Sequence, residues 1–186
     1  LYEDISTLLE MPQSFGVYPF TKKMEEVEEN IHRLFSYGLP KVLISTEAPG
    51  ANKKGEYHNA VGINMTELEA KMDGLFDAVK NLGIKTFAVG DLGNEIGMGA
   101  IGEHIRKYIP YAAEGECQCG CGGGLLARTA ADYLITATVS DWGVYALISA
   151  IAYLKKKISI MHDKNMEESV LCECARSGMV NMTGSL

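Results

Sequence analysis

Apolar and polar positions along this chain follow two periods, and the switches between them mark the elements. From Thr21 to Tyr37 the apolar residues Met24, Val27, Ile31, Leu34 and Phe35 recur at helical spacing, with Glu25, Glu26, Glu28 and Glu29 on the opposite, solvated face. Thr21 is placed to cap this helix, and Gly38 and Pro40 stop it. Leu68, Met72, Leu75, Phe76, Val79 and Leu82 predict a second helix, with Thr66 and Glu69 as a capping box and Gly83 at its end. Between and beyond them, short apolar runs predict strands at Lys41–Thr46, Ile84–Val89 and Asp132–Thr138, the second of them fit for burial. The helix that follows, to Lys155, is apolar almost all round and is expected to be buried on several sides. Leu1–Met11 reads as a short amphipathic helix, Ser14–Phe20 as a loop or edge strand, and Asn165–Arg176 as a last, weaker helix. Strands alternating with helices imply an α/β fold: a mainly parallel, Rossmann-like sheet with helices on both faces, in one domain spanning residues 1–186.

The stretch Ile84–Ile105 organises the rest. A strand runs into Gly90, Gly93, Gly97 and Gly99 and then a helix from about Met98 to Tyr108, with Asp91, Asn94 and Glu95 set into the turn. Parallel sheets present ligand sites at such carboxyl ends. No Gly-Lys-Ser/Thr follows, and the G-x-G-x-x-G fit at Gly97–Gly102 comes too late after the strand, so a nucleotide cofactor is not expected. Right-handed crossovers place Glu47, Asp91 with Glu95, and Asp141 at one edge of the sheet, with His58, Asn59 and Asn94 in reach. Each acid taken singly is a cap or a loop residue, and Asp141 in particular can cap its helix. Clustered carboxylates must share protons, pair with bases or hold a hard cation, here Mg²⁺ or another divalent ion on Asp91 and Glu95. Asn94 is expected on an exposed part of the loop, donating and accepting toward a ligand.

Charge and cysteines narrow the picture. The 186 residues carry a net charge of −7, which argues against a nucleic-acid partner. The longest apolar run, Val144–Leu154, is too short to span a bilayer, so no membrane partner is expected, and a homo-oligomer is compatible. No secretory signal is seen at Leu1. Five cysteines, as Cys117, Cys119, Cys121 and the pair Cys172 and Cys174, do not form a disulfide framework. An intracellular location is expected, cytoplasmic, or the mitochondrial matrix if the source is a eukaryote. The C-x-C-x-C spacing is a poor fit to structural zinc, even with Cys172 and Cys174 as partners, so free thiols and no stoichiometric zinc are expected. Among the histidines His32 reads as solvated, His104 as a packing residue and His162 as uninformative. His58, between Tyr57 and Asn59, is the one suited to acid/base work.

Three segments carry a resemblance. Gly90–Gly99, GDLGNEIGMG, resembles the G-D-G-G-N-E-x-G-M-G signature of the domain at the C-terminus of D-glutamate cyclases. EAPG-x6-YHNA, from Glu47 to Ala60, is similar to that family's Glu-x-Pro-Gly segment and Tyr-Tyr/His-Asn element, and VSDWGVYAL resembles its V-S-N-W-G-x-Y-A-L. Leu92 stands where the signature has glycine, and Asp141 where it has asparagine. The family usually has an upstream strand and a Glu-Thr-Asp-Gly-Pro loop that this sequence does not show, its expected place being residues 12 to 14. The resemblance implies an α/β domain and, in members fused to a hydro-lyase-like domain, conversion of D-glutamate to 5-oxo-D-proline and water. On that reading this is a lyase for a small carboxylate. Asp91 or Glu95 takes the amine proton, His58 protonates the leaving oxygen, and the Gly93–Gly99 backbone or a cation stabilises the oxyanion. Glu47, Tyr57, Asn59, Gly93, Asn94, Gly97, Gly99, Ser140, Asp141 and Trp142 are the expected ligand contacts. The alternative is a non-catalytic domain that binds a small carboxylate or phosphate.

Overall fold

The computed structural model describes residues 16–161 and 163–179, so the helix expected at Leu1–Met11 and His162 lie outside the described residues. Three strands, β1 (Val42–Thr46), β2 (Lys85–Gly90) and β3 (Tyr133–Thr136), form one parallel sheet in the order β1-β2-β3. Val42 faces Lys85 and Thr46 faces Val89 across the first pair, and Phe87 faces Tyr133 and Gly90 faces Thr136 across the second. The register of β3 is locked at its start. The Thr86 amide and hydroxyl donate to the Asp132 carboxylate at 2.8 and 3.0 Å, and the Asp132 amide donates back to Thr86 Oγ1 at 3.0 Å.

The helices are α1 (Val27–Phe35), α2 (Met72–Asn81), α3 (Gly102–Tyr108), α4 (Ser140–Lys155) and α5 (Lys164–Arg176). Both crossovers step the same way across the sheet, so right-handedness assigns α2 and α3 to one face. The start of α4 covers the other face. A Cβ on Gly143 would lie 2.7 Å from Val89 Cγ1 and 3.2 Å from Ile135 Cγ2, and those two side chains are register partners on one face. The result is the expected three-layer α/β arrangement. Phe76, Val79, Ala88, Val89, Ile96 and Met98 are almost wholly buried in it, and Met98, Ile105, Ala112, Leu125 and Leu126 form one continuous cluster.

The described chain divides into two compact units, Phe20–Leu147 and the described residues on either side of it. The first contains the whole sheet. The second contains the end of α4, a 3-10 turn at Ile158–Ile160 and α5, with exposed apolar side chains on Tyr153 (83%), Leu154 (77%) and Ile158 (83%). The expectation that α4 is buried on several sides is therefore corrected. Sixteen residues make a helix of about 24 Å, and strands of four to six residues, about 13–20 Å long, cannot cover all of it.

Two helix starts also differ from the pattern. Thr21 Oγ1 accepts from the Lys23 amide at 3.0 Å, a local turn that delays the helix to a 3-10 turn at Met24–Glu26, with α1 only from Val27. Met24 is left 66% exposed. The capping box does not form, because Thr66 Oγ1 is engaged elsewhere: it donates to Glu56 Oε2 at 2.6 Å and accepts from the Tyr57 amide at 2.9 Å. Residues 66–70 are turns, Leu68 is exposed, and α2 starts at Met72.

Candidate functional site

Three carboxylates meet where β1 and β2 end. Glu47, Asp91 and Glu95 each present an oxygen such that the three lie within 4.8 Å of one another. Glu47 follows β1 directly and donates its amide to Val89 O at 3.1 Å, which ties it to the end of β2. Its φ of 54° is in the left-handed region, a strained position for a residue other than glycine. Asp91 is partly buried and Glu95 is buried at 2% exposure.

The first turn of α4 closes this group from the other side. Ser140 Oγ donates to Glu47 Oε1, and the Ser140 amide donates to Asp91 Oδ2 at 3.3 Å. Asp141, next on the helix, is exposed but near enough for its charge to act on Glu47. Partial burial raises the Glu47 carboxyl above the ordinary glutamate value, the Ser140 hydrogen bond pulls it down, and the Asp91 and Asp141 charges push it up again. Glu95 is raised further, to about 7, chiefly by burial. Backbone amides at Glu95, Gly93 and Leu92 hold it down and the Glu47 charge adds to the rise. The Gly93 and Leu92 amides donate to Glu95 Oε2 and Oε1 at 2.8 and 3.3 Å.

The glycines of the loop are explained by approach distance. A Cβ on Gly97 would collide with Ala88, and one on Gly93 with Ile105, both at φ 102°. A Cβ on Gly99 would come within 2.6 Å of Arg128 O. Gly97 and Gly99 donate their amides to Thr129 O at 2.9 and 3.2 Å, which fixes the loop over the chain that enters β3. Asn94 is buried, not exposed as expected, and its Oδ1 has no partner while its carbonyl accepts from the Gly50 amide at 2.8 Å.

Other residues singled out from the sequence go elsewhere. Tyr57 is buried, and its hydroxyl donates to Asp73 Oδ2 at 2.8 Å. Burial and the Asp73 charge push that phenol well above its ordinary value. Asn59 Oδ1 accepts from the amides of Val61 and Ile63 at 3.1 and 3.0 Å, a local turn. Trp142 is 59% exposed. The His58 ring is wholly buried, with Nε2 3.1 Å from Cys119 Sγ rather than grouped with the acids. Burial lowers its pKa, against the pull of the Glu56 backbone and carboxylate.

Two residues the sequence did not single out organise this region. Asp73, buried in the first turn of α2, accepts from the Ala51 amide at 2.9 Å, from Tyr57 and from the Thr129 hydroxyl. Its signal was present: it lies three residues before the buried Phe76, on the covered side of the helix. Asn52 is equally buried and uses both ends of its amide. Oδ1 accepts from Lys54 N and Glu56 N at 2.8 and 3.1 Å, and Nδ2 donates to Gly124 O at 2.7 Å. Two shallow apolar clefts are lined by other residues, each within one unit. One, of about 630 Å³, runs along Tyr153, Leu154, Ile158 and Met161, and the other, of about 620 Å³, lies between α1 and α2. Among the described residues no helix is long and apolar enough to cross a membrane.

Chemically, close carboxyls of which Glu95 is raised furthest above its ordinary value can divide into a donor and an acceptor, or hold a hard cation on oxygen. Human mitochondrial D-glutamate cyclase is 36% identical over 113 residues, which is 60% of this chain and 17% of that protein. The chain thus corresponds to a small part of that relative's length. The family described as D-glutamate cyclase-like, C-terminal, matches residues 7–186. With that family's model matching nearly its full length, the chain belongs to the D-glutamate cyclase-like C-terminal family.

Proposed function

We propose that this chain is a catalytic domain of the cyclase type, closing D-glutamate to 5-oxo-D-proline with loss of water. In that reaction the α-nitrogen bonds to the γ-carboxyl carbon, the ammonium gives up two of its three protons, and one γ-oxygen takes up two and leaves as water. The observation that carries the reading is the buried Glu95, raised to about 7 beside Glu47 and Asp91. Such a carboxyl keeps its proton below about pH 7, is half ionised there, and can give that proton to the departing oxygen. Asp91 takes the ammonium proton, and Ser140 keeps Glu47 and Asp91 oriented. The unpaired Asn94 Oδ1 is an acceptor whose burial without a partner is costly, so a donor on the ligand gains there. Glu95 thus replaces His58 as the proton donor, since the His58 ring nitrogen is engaged with sulfur.

A divalent cation on Asp91 and Glu95 is the second way to settle three carboxyls in one place. It supports the alternative of a small-carboxylate or phosphate-binding domain without turnover. An intracellular setting suits the reduced thiols of this chain, and the human relative is named as mitochondrial. The deciding experiment follows D-glutamate and 5-oxo-D-proline by NMR, at high enzyme concentration, with and without Mg²⁺. Product without Mg²⁺ supports the proton-transfer reading, and product that requires Mg²⁺ supports a metal-assisted one. Saturable binding of D-glutamate with no product would overturn the cyclase assignment in favour of the binding domain.

A further inference from the structure

A second cluster, unlike the first in every donor, sits in the loop before β3. Residues 109–132 join α3 to β3 with no helix and no strand, a length that ordinarily needs something to hold it. Within it Gly120, Gly122 and Gly124 have φ of 74°, 77° and 70°. In an extended chain the sulfurs of Cys117, Cys119 and Cys121 would be spaced by about 6–7 Å. Here the turns bring Cys117 Sγ to 3.4 Å from Cys121 Sγ and 3.7 Å from Cys119 Sγ. His58, from the loop after β1, adds Nε2 at 3.1 Å from Cys119 Sγ and 3.8 Å from Cys121 Sγ.

We propose that His58, Cys117, Cys119 and Cys121 form a structural Zn²⁺ site, a closed Cys₃His centre. Tetrahedral zinc with its usual bond lengths separates two sulfurs by about 3.8 Å and a sulfur from a nitrogen by about 3.6 Å. Four of the six edges of the group are within about half an ångström of those values, and all six are within 4.8 Å. The donors are soft sulfur with one imidazole, the set that takes zinc rather than Mg²⁺ or Ca²⁺. Supporting contacts reach the sulfur as they do in thiolate sites: Asn52 Nδ2 and the Gly123 amide approach Cys121 Sγ at 3.5 and 3.4 Å. His58 Nδ1 is buried with no hydrogen bond of good geometry, so nothing competes for the ring other than the sulfurs and the nearby Glu56 backbone. On binding, zinc replaces the three thiol protons, which pass to solvent, and accepts the Nε2 lone pair, leaving the ring proton on Nδ1. The expectation of zinc-free thiols from C-x-C-x-C spacing missed His58 as the fourth ligand, about sixty positions earlier in the chain.

The test uses the full chain, purified under reducing conditions. The expected result is one zinc per chain and, after exchange with cobalt, tetrahedral ligand-field bands with a sulfur-to-cobalt charge-transfer band scaled to three thiolates. Cys119→Ser changes an exposed sulfur and so spares the fold. Because changes to supporting residues alone cost about 10–100-fold in metal affinity, this loss of a ligand should weaken zinc binding by at least about 100-fold. Cys172→Ser, on α5, should leave it unchanged. Five freely titrating thiols in the presence of equimolar Zn²⁺, or equal zinc affinity in wild type and Cys119→Ser, would overturn the site. So would a Cys117–Cys121 disulfide recovered from protein kept with reductant and zinc.

Discussion

The acid cluster and the thiol cluster are built in opposite ways from the same scaffold. Glu47, Asp91 and Glu95 come from strand ends that the parallel sheet brings together, and their spacing follows from its register. His58 and the three cysteines come from two irregular loops, and their spacing follows from glycine turns and the buried Asn52. The first group is oxygen, with the Glu47 and Glu95 carboxyls raised chiefly by burial. The second is sulfur and nitrogen in near-tetrahedral proximity. Regular structure therefore places the acids, and side-chain cross-links must hold the loops. Asp73 serves both, since Tyr57 precedes His58 and Thr129 receives the Gly97 and Gly99 amides.

The largest expected effect belongs to the acid side alone. Glu95→Gln keeps the size of the side chain and an acceptor for one of the two amides, that of Gly93 at the shorter distance, and removes the proton donor. Turnover of D-glutamate should fall by about 10²–10⁴-fold, while the cobalt spectrum of the thiol cluster stays as in wild type. A turnover within a few-fold of wild type would remove Glu95 from the chemistry.

Asp73→Ala should break both sides at once. It strips the acceptor from three donors, Ala51 N, Tyr57 and Thr129. We expect a loss of about 3 kcal/mol or more in chemical unfolding, with weaker zinc retention as well as lost turnover. Loss of one property with the other intact would show that the two clusters do not share this support.

These two residues also show what the sequence disclosed. Glu95 was legible because β2 ends in a glycine-rich turn, and strand ends can be read from hydrophobic runs. Asp73 was legible only as a position on the covered side of its helix, because the loops whose donors it accepts are brought to it by folding. The capping box at Thr66 and Glu69 failed for the same reason. Thr66 had a better partner in Glu56, ten residues earlier in the chain and facing it only after folding. The three strands and their parallel order needed only local pattern and handedness. The thiol cluster needed a contact between residues 58 and 119, which no local pattern contains.

The pH response gives a smaller and sharper contrast. Glu95 rises from the ordinary 4.5 to about 7 in the folded chain, so the folded state holds its proton more tightly than the unfolded one. The stability this contributes is fully present below about 4.5 and is lost as pH rises through about 7. At pH values above that range Glu95→Gln should be more stable than wild type by about 1–3 kcal/mol, and below it the difference should vanish. The same shift sets the alkaline limb of turnover near 7, and that limb should be absent from whatever activity Glu95→Gln retains. A wild-type chain whose relative stability does not change across this window would refute the buried-proton account.

Ser140→Ala should have the mildest effect. It removes the hydroxyl that bonds Glu47 and keeps the amide that bonds Asp91. Stability should fall by about 1 kcal/mol, and the Glu47 midpoint in an NMR titration should move up, because that hydrogen bond lowers it. The signals of His58 should not move. A Glu47 midpoint that is unchanged or falls would show that Ser140 does not hold this carboxyl.

A sequence chosen only to make this backbone durable would not put glutamate at position 47. At a φ of 54° glycine or asparagine would sit with less strain, and a left-handed residue of another type costs about 1–3 kcal/mol. A library of substitutions at that one position, sorted once for thermal tolerance and once for turnover, should therefore return different winners. Thermal selection should favour the small, flexible residues and selection for product should restore the acid.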